Sequence, residues 1–255
     1  MTSFTRTYSP SQVKRFAKAT GDLNPLHDPK YMAGYRRHPL VHGMLLFTDA
    51  TRTVNKELLM DPARIEVFLA IPVSPGERVE VGHVLNGTGL ELCVNHEGTN
   101  LLSTKNQTSK IVPGDSSLPI TTNRVLMLAS DYERFKRFRG LLHTDTEIAS
   151  LLYAMARGSA AIYRCAMSAE NEEERKVQEG VNRGVLPVFS SLKFQTTGNL
   201  DLDPRKDLEF RVGVRSGKTW RFSVQCYQGG KEVYSASHCA FPFPKAEILK
   251  MAKPL

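Results

Sequence analysis

Between Thr20 and Leu45 the chain reads TGDLNPLHDPKYMAGYRRHPLVHGML, a segment that gathers aspartate, asparagine and histidine among turn-forming residues. Asp22 and His27 stand five positions apart across a proline turn, so both side chains can converge on one water molecule. Ionised aspartate only accepts hydrogen bonds, whereas neutral histidine donates from one ring nitrogen and accepts at the other. Such a pair can orient a water and carry its proton, which is acid–base chemistry that needs neither a metal nor a redox cofactor. The same Gly-Asp-Leu-Asn-Pro stretch also fits a plain turn in which Asp22 or Asn24 caps a helix, and Asn24 is expected to hold that turn by side-chain-to-backbone bonds. Downstream, Leu40-Val41-His42-Gly43-Met44-Leu45 reads as the start of a helix. The first amides of a helix have no intrahelical partner and lie at its positive end, so the Gly43 N–H can hold a carbonyl oxygen that gains negative charge. Glycine allows the ligand to come close.

These two blocks, Gly21-Asp22-Leu23-Asn24-Pro25-Leu26-His27 and Leu40 to Leu45, resemble the MaoC-like family of hotdog enoyl-thioester hydratases and dehydratases, which includes the R-specific enoyl-CoA hydratases. The family pattern is G-D-x-N-P-x-H, a short variable stretch, then a hydrophobic residue and H-G-M. The resemblance implies addition of water across the double bond of an enoyl thioester, or the reverse dehydration. It makes Asp22 and His27 the catalytic pair and Gly43 the oxyanion donor. It also implies an acyl thioester of coenzyme A or of a carrier protein as substrate, with no further cofactor and no metal. Thr51 matches a hydroxyl residue that some members place about eight positions after the glycine. His42 is expected to fix the start of the helix beside the substrate. Arg36 and Arg37 read as solvated surface, or as contacts to the phosphates of coenzyme A. Asp49 and Arg52, three apart, are expected to pair on the helix surface at a domain or subunit boundary, unless Arg52 meets a carboxylate or polyketide oxygen of an unusual acyl group. Three other readings stay open: a related enzyme that dehydrates, isomerises or cyclises a polyketide-type intermediate, a non-catalytic acyl-thioester binder, and a hotdog thioesterase.

The elements that must position these residues follow a repeated order. Ser9 with Gln12 forms a capping box, Pro10 suits the first helical position, and helical spacing runs to about residue 20. A second helix is expected over 43–59, followed by strands at 64–71, 77–85, 90–95 and 101–108. In the second half Thr144 with Glu147 opens a helix to about residue 165, then strands follow at 188–196, 207–214, 219–227 and 232–241, with Gly229-Gly230 as a hairpin turn. SPGERVEV at 74–81 aligns with DPRKDLEF at 203–210, which we read as an internal repeat. The expected fold is therefore α+β, a tandem or double hotdog in which each half wraps an antiparallel sheet around a central helix. The N-terminal hotdog spans 1–112, a Pro/Gly/Ser linker 113–123, and a degenerate C-terminal hotdog 124–255. The second half lacks the motif, so one site per chain is expected, with that half shaping the acyl tunnel. His143 reads as a cap or packing residue, and Tyr153 and Met155 as core.

The 255 residues and 41% hydrophobic content exclude wholesale disorder. No apolar run reaches the length of a membrane span, and MTSFTRTYSPSQV lacks the apolar core of a signal peptide. Four cysteines without Cys-x-x-Cys spacing read as reduced thiols, and the C-terminal AKPL is no peroxisomal signal, so the cytoplasm is expected. The net charge of +8 is scattered and accompanies no nucleic-acid motif, which disfavours nucleic acid. A small-molecule acyl thioester is the expected partner, with a homodimer of double hotdogs as a possible assembly.

Overall fold

A computed structural model of the chain describes residues 2–51, 64–69, 72–86, 89–106, 120–125, 129–139, 146–197, 202–203 and 206–255. The first half contributes β1 (Thr2–Thr7), β2 (Arg64–Leu69), β3 (Arg78–Asn86), β4 (Gly89–His96) and β5 (Thr99–Asn106). The second contributes β6 (Ile120–Val125), β7 (Val185–Thr196), β8 (Leu208–Arg215), β9 (Trp220–Gln228) and β10 (Lys231–Pro244). They form one ten-stranded sheet in the order β1-β3-β4-β5-β2-β7-β10-β9-β8-β6. Reading β6 to β10 as the counterparts of β1 to β5 makes this order symmetric about the β2–β7 pair. That pair is antiparallel, with Val67 opposite Leu192, so a pseudo-two-fold axis relates the halves.

The helices obey the same symmetry. α1 (Pro10–Thr20) follows β1, and α4 (Ala129–Arg139) follows β6. Their sequences, SQVKRFAK at 11–18 and SDYERFKR at 130–137, repeat at an interval the strand alignment alone does not reveal. The equivalent rings Phe16 and Phe135 meet with centroids 6.0 Å apart. α3 (Gly43–Ala50) packs on β3, β4 and β5, and α5 (Thr146–Ser168) packs on β6, β8 and β9, so each half wraps its own central helix. α6 (Glu172–Asn182), which contains most of the charged run after residue 170, is the insertion that offsets the repeat. α2 (Pro29–Ala33) lies within the motif segment, and α7 (Lys245–Met251) follows β10.

The Ser9–Gln12 capping box is formed, with the Gln12 amide donating to Ser9 Oγ and the Ser9 amide donating to Gln12 Oε1. Gly229 and Gly230, both at positive φ, join β9 to β10. Several elements differ from the sequence reading. β1, α2, α4 and α7 were not foreseen, because six-residue strands and short, highly charged helices leave little periodic signal. The last residues of the expected linker, from Ile120, belong to β6, whereas 113–119 lie outside the described residues. So do 52–59 of the expected central helix, His143 and Thr144.

Polar residues on α3 face inward, not towards a boundary. Asp49 is 3% exposed, accepts a hydrogen bond from the Tyr8 hydroxyl at 2.8 Å and meets Arg6 Nε at 3.3 Å. The expected Asp49–Arg52 surface pair is thus corrected for Asp49, whose carboxylate is engaged inside the fold; Arg52 lies outside the described residues. The Thr48 hydroxyl donates to the Met44 carbonyl at 2.7 Å, so a buried helix face keeps its polar groups bonded.

The core also holds a titratable group. His238 on β10 is 1% exposed, sits edge-on to Phe189 and Phe194, and burial pulls its pKa down to about 3. Protonation is thus confined to the unfolded chain between about pH 6.5 and pH 3, and folding stability falls as pH falls through that window. Between pH 7.5 and 5.5 the loss from this one residue is expected to be about 1.4 kcal/mol. Urea unfolding of His238→Leu should show a pH dependence flatter by that amount than the parent chain, whereas parallel curves would contradict this assignment.

Candidate active site

Local hydrogen bonds shape the motif from its first residue. Gly21 ends α1 in the left-handed region at φ 70°, and the Asp22 amide returns to the Ala17 carbonyl at 2.9 Å. The Asn24 amide donates to Asp22 Oδ1 at 2.9 Å, and the Leu26 amide donates to Asn24 Oδ1 at 3.1 Å. Two successive side-chain turns therefore wind Pro25–His27 into a single 3₁₀ turn, with Asn24 in its expected turn-holding position. Asp28 then caps α2 through the Lys30 amide. The Leu40 amide donates to the Leu26 carbonyl at 2.7 Å, and His27 Nδ1 lies 2.8 Å from the Leu40 carbonyl. These last two bonds tie the two sequence blocks together.

The same bond sets the tautomer of His27. A carbonyl oxygen only accepts, so Nδ1 carries the proton and Nε2 of the neutral ring presents a lone pair. Nε2 lies 3.9 Å from Asp22 Oδ2, too far for a direct hydrogen bond. A water about 2.8 Å from both acceptors would subtend an angle of about 90°, close to that between its own two O–H bonds. Each O–H can then point at one acceptor, leaving the oxygen lone pairs free. Both side chains remain partly open, Asp22 at 18% and His27 at 15%.

His42 supports this pair from inside. Its ring stacks on His27 with centroids 3.7 Å apart and leans on Phe16 at 4.9 Å. It is 2% exposed, and burial, then the neighbouring His27, pushes its pKa well below the ordinary value, so it is neutral. The sequence reading placed His42 beside the substrate; here it is buried behind His27. Its position before Gly43, with its carbonyl accepting from the Leu45 and Leu46 amides, fits the expected role at the helix start.

An apolar cavity of about 120 Å³ opens against His27, Asn24 and Gly43. Leu46 adds to its first-half wall, while Phe189, Ile248 and Met251 come from the second half. Gly43 is the first residue of α3, so its amide is one of those without an intrahelical partner. Thr51, at the other end of that helix, is 1% exposed and donates its hydroxyl to the Thr48 carbonyl at 2.8 Å, apart from this cavity. Arg36 and Arg37 are not among the residues that line it: the Arg36 carbonyl accepts from the Leu255 amide, and Arg37 pairs with Pro254, both beyond the end of α7.

The sequence reading expected the second half to shape the tunnel but named none of the residues that it supplies to this cavity. Phe189 and the C-terminal helix carry no recognisable motif, and only the fold brings them to His27. Arg157 and Arg164 of α5 are a second case: a Cβ on Gly21 would lie 2.9 Å from Arg157 Nη1 and 3.3 Å from Arg164 Nη2. Glycine at the motif's first position therefore serves close packing as well as positive φ.

Asp22, His27 and His42 also bring one carboxylate oxygen and two ring nitrogens within 4.8 Å of one another, a donor set that divalent metals use. The stack argues against a shared ion. Lone pairs lie in the ring planes, and these planes are 26° from parallel at 3.7 Å, so an ion about 2.1 Å from both nitrogens would sit well out of each plane.

Residues 2–106 match the MaoC like domain family. No curated protein sequence matches the chain. Among solved structures, a double-hotdog protein from Mycobacterium tuberculosis superimposes with a TM-score of 0.61 at 9% identity, over 95% of this chain and 96% of that one. A MaoC-like dehydratase from Phytophthora capsici gives 0.58 at 12% identity, over 95% of each chain. An acyl-CoA thioesterase II from Mycobacterium marinum gives 0.51 at 11% identity, over 79% of this chain and 89% of that one. At such identities these likenesses speak for the fold. The chain is a double hotdog, and its residues 2–106 match the model of the MaoC like domain.

Proposed function

We propose that this protein is a hydro-lyase that adds water to an enoyl thioester of coenzyme A or a carrier protein, or removes it from the 3-hydroxyacyl product. The observation that carries this reading is the 3.9 Å gap between Asp22 Oδ2 and His27 Nε2, the ring nitrogen not engaged by the Leu40 carbonyl, beside an apolar cavity that also reaches Gly43. A water held by both acceptors attacks Cβ of the enoyl group. As its oxygen bonds to Cβ, the double-bond electrons move onto Cα and the thioester oxygen, where the Gly43 amide stabilises the enolate. His27 Nε2 takes the proton leaving the water and returns it to Cα. Asp22 orients the water and faces the transient imidazolium. The atoms of one water are then all in the product, and dehydration is the reverse path.

Met251 and Ile248 line the acyl pocket in this reading, and Arg36 and Arg37 are the proposed contacts for phosphates of the arriving thioester. Arg36 is exposed, as a diffusing anion requires. Four cysteines that form no disulfide suit a reducing compartment such as the cytoplasm, and among the described residues no helix is long and apolar enough to cross a membrane. The polar residues Asp49 and Thr48 of α3 are bonded within the fold and lend no support to a redirected, polyketide-type reaction. Incubation with a panel of trans-2-enoyl-CoA thioesters, followed by mass and thiol analysis, tests the proposal. The expected product is the intact thioester with one water added. Release of free coenzyme A without hydration would make the chain a thioesterase instead.

A further inference from the structure

We propose that the cleft between α1 and α4 is a second binding site, separate from the candidate active site, for a free anion carrying two or more phosphate groups. The cleft measures about 400 Å³ and is lined by Arg15 and Lys18 of α1, Arg134 and Arg137 of α4, and Gln12. Arg15 and Arg134 occupy equivalent positions of the repeat, as do Lys18 and Arg137. The Phe16–Phe135 contact joins the same two helices at the equivalent position next in sequence. Each helix thus presents two cations, one turn apart, to a common space on the pseudo-two-fold axis.

The nearby acids offset only one of these four charges. Asp131 engages Arg134 at 2.7 Å, and Glu133 engages Lys136. Arg15, Lys18 and Arg137 have no carboxylate partner among the described residues. Like charges gathered in one concave surface focus a positive potential that an anion relieves, and guanidinium groups bind phosphate oxygens in pairs. Two facing pairs of cations suit two linked phosphates better than one carboxylate. The ligand is taken to be free and not part of the thioester, because α1 stands between the two sites. Its Phe16 faces His42 at 4.9 Å, while Arg15 and Lys18 line the cleft, and none of the five cleft residues borders the apolar cavity.

Isothermal titration of the full chain with sodium pyrophosphate at low salt tests this site. Saturable binding is expected, with the dissociation constant raised about tenfold or more in Arg15→Ala/Arg137→Ala. Lys14→Ala removes a cation from the same helix outside the cleft and should leave binding unchanged. Absence of saturable binding, an equal constant in the double variant, or an equal loss in Lys14→Ala would each overturn the proposal. Failure of the hydratase reading would leave this test untouched, since it measures no turnover. All three substituted residues are exposed, and unchanged thermal unfolding would verify that the variants fold.

Discussion

Replacing His27 with alanine is expected to lower kcat on an enoyl thioester by about 10³-fold, within the range that positioned acid–base groups supply. The loss should fall on kcat rather than KM, because the ring acts on the water and on Cα, whereas the acyl chain rests on apolar walls. Two consequences separate this from a folding defect. The turn around His27 keeps its two side-chain caps, from Asp22 and Asn24, so the Leu26 and Asn24 amides stay bonded. The variant does lose the stack on His42 and the bond to the Leu40 carbonyl, at a cost of about 1–2 kcal/mol in stability. Asp22→Asn tests the partner more gently. Its side-chain oxygen can still accept from the Asn24 amide, but the group facing His27 becomes a donor and can no longer accept the water's proton-bearing edge. A fall in kcat of about 10²-fold with an unchanged melting temperature is expected. Steady-state kinetics beside thermal unfolding would check both variants; turnover near that of the parent chain in either would remove that residue from the mechanism.

The largest expected loss of stability comes from the second half. Gly158 lies on α5 where the Tyr234 hydroxyl donates to the Ala154 carbonyl at 3.1 Å. A Cβ at this glycine would stand 1.8 Å from that hydroxyl oxygen, so tyrosine and alanine cannot share the space. Tyr234 is wholly buried on β10, against Phe194, and has little room to withdraw. Gly158→Ala is therefore expected to cost about 3 kcal/mol, the upper part of the range for overpacking. Tyr234→Phe alone should cost about 1 kcal/mol for the lost hydrogen bond. In the double variant the clashing oxygen is gone and the next ring atom lies 3.2 Å from the new Cβ, so the combined loss should be smaller than the Gly158→Ala loss alone. Denaturant unfolding of the three variants reads this directly, and additive losses would show that the helix and strand adjust independently.

These two sites show why some of the molecule was legible in its sequence and some was not. Asp22 and Asn24 act through bonds spanning five residues or fewer, so turn chemistry read from neighbours foretold the shape of the loop, whereas the bond from His27 to the Leu40 carbonyl spans thirteen. The Gly43 helix start was legible for the same reason. The helix-then-strands order of both halves survives in the fold because alternating and helical periodicities mark long amphipathic elements. Short elements were lost: β1 and β6 are edge strands of six residues each, and α4 is so charged that its buried Tyr132 and Phe135 form too thin a stripe. Long-range partners were lost too. Nothing local to Asp49 announces Tyr8, nothing local to Gly21 announces Arg157, and Met251 reaches the cavity only because α7 and the residues after it fold back onto the first half, where the His38 amide donates to the Lys253 carbonyl.

The account turns on a water shared by Asp22 and His27. Proton NMR of a trans-2-enoyl-CoA incubated with the full chain in deuterium oxide tests this most directly. The account predicts a product with hydroxyl at Cβ and a single deuterium at Cα, formed by the parent chain and not by His27→Ala. Coenzyme A released from an unhydrated acyl group, or the same deuterated product at the same rate from His27→Ala, would contradict it.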